Sequence, residues 1–242
     1  MNTTTKTIVW VSIFAVAMGL FESAVVVYLR ELYYADGFRF PLQPIPVFIG
    51  RIEVFREAAT IIMLVACGII AGNTKLQRFA YFVLAFAIWD LFYYVFLWIF
   101  ISWPQSLSTW DILFLIPAPW VGPVWAPCLL CLLMITGSLY IIHQTKVDPT
   151  FRVESRHWMM MITGALICIF SFMWDYLLLI SGKSGGWNLF SQSDLFSELE
   201  TYVPTRFNSG LFFTGFLLMC SSVLLSVLSA RKQPAEAGSQ EK

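Results

Sequence analysis

Glu22, Arg56, Glu57, Asp90 and Asp175 stand inside stretches that are otherwise almost wholly apolar, and Arg206 stands just ahead of another. A charged side chain at membrane depth costs about 2.5–3.5 kcal/mol on insertion scales, so such residues face a bundle interior or a hydrated cavity and mark functional sites. Grouped carboxylates suit two kinds of chemistry. In low-dielectric surroundings they serve as general acids or bases, and together they attract a cation.

Their spacing places them on shared helix faces. Arg56 and Thr60, Asp90 and Tyr94, and Ser171 and Asp175 are each four residues apart, with Tyr93 three beyond Asp90. Residues at that spacing lie one above the other on a helix. Ala15 and Gly19 precede Glu22 as a small-residue stripe that permits close helix packing. A plainer reading also holds for the rim residues. Glu57 would pair with Arg56 or Arg51 at the headgroups, and Arg30 with Glu31, where long side chains snorkel to water cheaply.

Other constellations are weaker. Cys128 and Cys131 have the spacing of a redox pair, but they lie in an apolar run with no basic neighbour, which favours packing. His143 and His157 read as interface residues, with no carboxylate at metal-ligand spacing, so no metal site is expected. Asp111 reads as the N-cap of a short apolar run, Ile112–Ile116. No nucleophile elbow, phosphate loop, zinc-protease or dinucleotide motif is present, and the sequence leaves the cofactor unknown.

The composition says what must hold these residues. Of 242 residues, 58% are hydrophobic and 12% charged. Mean hydropathy is +0.73. A soluble domain of this size cannot hide that much apolar surface. A cytosolic globular enzyme, a disulfide scaffold, a coiled coil and a disordered chain are all excluded. The expected class is all-α, a polytopic transmembrane bundle. Windows of about 19 residues locate six spans. They are Ile8–Leu29, Val54–Gly72, Phe79–Ile101, Val124–Ile142, Trp158–Ile180 and Gly210–Ala230. Residues 1–230 form one membrane-embedded domain, and 231–242 read as a disordered polar tail.

Six spans put both termini on one side, here side A. Lys6, Lys75, Arg78, Lys146, Arg152, Arg156, Arg231, Lys232 and Lys242 fall there. Arg30, Arg39, Arg51, Arg56, Lys183 and Arg206 fall on side B. The excess on side A predicts cytoplasmic termini in a multi-pass cell-membrane protein. Counting inward from side B at 1.5 Å per residue gives depths of about 5 Å for Glu57, 8 Å for Asp175, 11 Å for Glu22 and 17 Å for Asp90. All lie toward side B, which predicts one polar cavity opening there, with Asp90 at its floor and Arg56 or Arg206 in reach of an acid.

The segment 102–123 carries Trp103, Trp110 and Trp120 with Pro104, Pro117, Pro119 and Pro123. Its composition fits either a re-entrant or interfacial segment covering the cavity, or a plain loop on the membrane. Asp194 would cap a short interfacial helix with Leu195, Phe196, Leu199, Tyr202 and Val203 as its apolar face.

Three functions stay open: a protein binding or handling a small or lipid-soluble ligand, an intramembrane enzyme acting through carboxylate acid/base or metal chemistry on a lipid-soluble substrate, and an accessory subunit of a larger membrane complex. Fifteen basic residues balance fifteen acidic ones, so no nucleic-acid partner is implied; the bilayer itself is the expected partner.

Overall fold

The computed structural model describes residues 2–34, 37–183 and 202–237. Among these residues run six helices, each with a stretch long and apolar enough to cross a membrane. They are α1 (Thr3–Tyr33), α2 (Val47–Ala71), α3 (Lys75–Ile101), α4 (Trp125–Val147), α5 (Ser155–Lys183) and α6 (Ser209–Ala237). The interfacial helix expected from Asp194 lies largely outside the described residues, as do residues 238–242 of the expected tail.

Local chemistry sets several boundaries. The Asn2 side chain accepts the Thr5 N–H at 2.9 Å and Thr74 accepts the Gln77 N–H at 3.2 Å, capping α1 and α3. Between α4 and α5, Asp148 Oδ1 accepts the Thr150 hydroxyl at 2.6 Å and its N–H at 2.8 Å. These bonds hold the Asp148 carboxyl below the usual carboxylate range. α2 begins at Val47, after Pro46, well before the apolar window that located it. Arg51, Glu53 and Arg56 dilute that window, yet the helix runs through them. Glu57 is therefore three turns into α2 rather than at its rim.

α3 is the central element and packs against α1, α2 and α4. Its inward face buries Ala80, Leu84, Ala85, Trp89 and Leu97. α5 and α6 pack chiefly on each other. Outward faces stay apolar: Ile70 is 86% exposed and Phe55 72%. In water such faces would be costly; against acyl chains they are at home.

The connection between α3 and α4 departs from an all-helical reading. Trp110–Phe114 (β1) and Trp120–Pro123 (β2) form an antiparallel hairpin, with Asp111 opposite Gly122 and Ile112 opposite Val121, and a bulge before Phe114. The prolines at 117 and 119 sit in its turn. The hairpin folds back into the helices. Phe114 stacks on Phe86 of α3, and Trp120 stacks on Phe172 of α5. Trp103 and Trp120 thus sit in aromatic clusters inside the bundle. Asp111 is a strand residue, not a helix cap: the bulky, branched run 112–116 favours extended backbone once cross-strand partners are present.

Candidate functional site

Glu22 is set by a close helix crossing. At Gly19, one turn before it, a Cβ would stand 2.9 Å from the Trp89 carbonyl oxygen, so only glycine lets α1 approach α3 there. Ser23 bridges the same crossing, donating to the carbonyls of Gly19 at 2.7 Å and Tyr93 at 3.0 Å. Glu22 then faces α2. It pairs with Arg56, and Thr60 Oγ1 lies 3.5 Å from its other oxygen. The Arg56–Thr60 spacing does what the sequence suggests, bringing both to one acid. Arg56 also pairs with Glu53 one turn back. Glu53 escaped the sequence reading, although an acid three residues before an arginine is a readable helix pair.

Glu57 does not pair with Arg56 or Arg51. Its two carboxylate oxygens accept the Leu115 backbone N–H at 3.0 and 3.2 Å. Leu115 follows β1, so this acid ties the hairpin to α2. Asp90 lies on α3 and accepts the Cys131 thiol at 3.2 Å. Cys131 thus has a partner, and all five cysteines are free thiols. Tyr94, one turn beyond Asp90, donates not to Asp90 but to Asp111 Oδ2 at 3.2 Å.

Arg30 does not pair with Glu31. Its Nη2 stands 3.8 Å from Asp111 Oδ1, and its guanidinium lies 3.8 Å from the ring centre of Trp103 and 4.4 Å from that of Phe38. Burial pushes the Asp111 carboxyl up to about 6, against the opposing pull of Arg30. Arg30 and Asp111 are both buried, and sequence reasoning assigned neither to the site. No local spacing links them; only the hairpin's return brings them together.

These groups surround one cavity of ≈ 170 Å³, at the end of the bundle where α1 and α3 finish and α2 begins. Glu22, Arg30, Glu53, Arg56, Glu57, Asp90, Tyr94 and Asp111 all line it, with Phe38, Ile45 and Ile49 among its apolar walls. The hairpin residues Asp111–Leu115 form one side. Two buried donors on the lining, Arg30 Nη1 and Trp89 Nε1, have no hydrogen-bond partner among the described residues.

Asp175 and Arg206 are not part of this lining. Asp175 accepts Tyr202 OH at 2.9 Å, Thr205 N–H at 3.0 Å and Thr205 Oγ1 at 2.9 Å. It anchors the segment entering α6. Burial and this carboxylate push the Tyr202 hydroxyl well up. Arg206 is exposed. The shared depth of Asp175 reflected the common length of the spans, not a common site. His157, read as an interface residue, is 1% exposed.

Among the described residues, no three His, Cys, Asp or Glu side chains are grouped to hold one metal ion. Comparison of the chain with protein-family models, with curated proteins and with solved structures returns no match.

Proposed function

We propose that this chain is a membrane protein whose cavity between α1, α2, α3 and the hairpin takes up a small amphipathic ligand bearing a protonated amine. The observation that supports this reading is a charge imbalance. Glu22, Glu53, Glu57, Asp90 and Asp111 line the cavity against two guanidiniums, Arg30 and Arg56. Arg56 serves Glu22 and Glu53, and Arg30 serves Asp111. Glu57 and Asp90 have no cationic partner among the described residues. Uncompensated buried carboxylates are costly, and an ammonium group between them offsets that cost. Phe38, Ile45 and Ile49 offer the ligand's alkyl part an apolar wall. The excess of basic residues on side A argues that the cavity opens on the extracytoplasmic side.

A second reading, an intramembrane enzyme with Asp90 as acid or base, draws on the unpartnered Arg30 Nη1 and Trp89 Nε1, which could steady a developing negative charge on a substrate oxygen.

Thermal unfolding of the purified protein separates the readings. Dodecylamine, dodecanol and dodecanoate share one chain and differ in charge. Binding to the folded state raises the melting temperature by mass action. Only dodecylamine should do so at matched concentration. Equal shifts from all three, or none, would remove the cation-binding reading.

A further inference from the structure

A second cavity, of ≈ 280 Å³, lies at the opposite end of the bundle, between the α3–α4 pair and the α5–α6 pair. Phe82, Leu133, Met134, Met161 and Met219 give it an apolar wall, and Gly137 opens it further. α5 and α6 touch each other directly, so neither can move toward the other. A Cβ on Gly164 would come within 2.6 Å of the Gly215 carbonyl oxygen, and one on Gly215 within 2.6 Å of the Gly164 carbonyl oxygen. An empty apolar space of this size forgoes the dispersion contacts a packed interior makes.

One polar group interrupts the apolar lining without a partner. His157 Nε2 is buried and makes no hydrogen bond among the described residues. The neighbouring hydroxyls are satisfied: Ser222 donates to the His157 carbonyl at 2.7 Å, Ser226 to the Ser222 carbonyl at 2.9 Å and Ser138 to the Ile135 carbonyl at 3.0 Å. Buried polar atoms in native structures are almost always paired, so an orphan points to an absent partner. His157 also borders a small polar recess shared with Arg152, Glu154 and Ser229. Arg156 pairs with Glu154 at 2.8 Å, while Arg152 makes no ion pair among the described residues. The order along the protein is thus apolar cavity, hydrogen-bonding ring, then Arg152, a cation without an ion-pair partner among the described residues.

We infer that this cavity is a site for a bilayer glycerophospholipid. One acyl chain fills the space between α3–α4 and α5–α6, the ester region meets His157 Nε2, and the phosphate lies toward Arg152. The three features follow one another in the same order as the chain, carbonyl and phosphate of such a lipid. This site is separate from the carboxylate cavity and does not depend on what that cavity binds.

The test uses the full-length protein in vesicles doped with phosphatidylglycerol carrying a diazirine near the end of one acyl chain. After irradiation, labelled positions are mapped by peptide mass spectrometry. Met161 and Met219 should be labelled several-fold more heavily than the outward-facing Ile62 and Ile70. Gly137→Phe, which fills the cavity from α4, should remove that excess and leave Ile62 and Ile70 unchanged. His157→Leu and Arg152→Gln should each lower it at least threefold for the phospholipid, but not for a diazirine alkane. Wild-type labelling of Met161 and Met219 no heavier than that of Ile70 would overturn the proposal without recourse to any variant. Equal loss of phospholipid and alkane labelling in His157→Leu would overturn the headgroup assignment, leaving an unspecific apolar cleft.

Discussion

Arg30 Nη2 lies 3.8 Å from Asp111 Oδ1, joining the last turns of α1 to the hairpin between α3 and α4. The guanidinium rests against Trp103 and Phe38, and Tyr94 donates to the same carboxylate. Removing one member of a buried pair strands the other, at about 3–5 kcal/mol. Arg30→Met should therefore destabilise the protein strongly at pH 7.5. Arg30→Met combined with Asp111→Asn should recover much of that loss, measured by unfolding in mild detergent. A double variant no more stable than Arg30→Met would show that the two residues are not coupled.

Asp111 also makes stability depend on pH. Its carboxyl is raised from 3.8 to about 6, so the folded protein holds the proton more tightly than the unfolded chain. That contribution is fully present below about pH 4 and is lost as pH rises through about 6. Arg30, Tyr93, Tyr94 and Asp90 surround the group. The melting temperature of Asp111→Asn, relative to wild type, should rise between pH 4.5 and pH 7. A constant difference across that range would contradict the raised value.

Asp175 belongs to a different part of the molecule and should behave so. Asp175→Ala leaves Tyr202 OH and the Thr205 N–H without their acceptor. The expected cost is about 1–3 kcal/mol of stability for each donor that water does not reach. Affinity for dodecylamine should stay within twofold of wild type. A tenfold loss of affinity would place Asp175 with the ligand after all.

The six spans were legible because an apolar window of helical length is a strong signal. Glu22 and Arg56 were legible as a site because charge inside such a window needs a partner. The start of α2 was not, since Arg51, Glu53 and Arg56 look like a loop to a hydropathy window although the helix runs through them and Glu53 and Arg56 line the cavity. The hairpin was hidden for another reason. Ile112–Ile116 is too short for periodicity to separate strand from helix, and its pairing depends on Trp120–Pro123 across a proline turn. Arg30 and Asp111 went unread with it.

The buried pairs also sharpen the topology argument. Arg30 and Arg56 are held by acids inside the cavity, so they contribute little to the side B surface count. The remaining side B residues, Arg39, Arg51, Lys183 and Arg206, face nine on side A. We expect Ser108→Cys, but not Asn73→Cys, to react with an impermeant maleimide in intact cells. Both positions are exposed. The reverse pattern would invert the orientation.

The most direct measurement is calorimetric titration of dodecylamine into the purified protein and into the Glu57→Gln/Asp90→Asn double variant, with both confirmed folded by circular dichroism. These two acids line the cavity without a cationic partner among the described residues, and the substitutions preserve their shape. The expected result is saturable binding to wild type and at least a tenfold weaker affinity in the double variant. Binding of equal affinity in both proteins would contradict a cation site at Glu57 and Asp90.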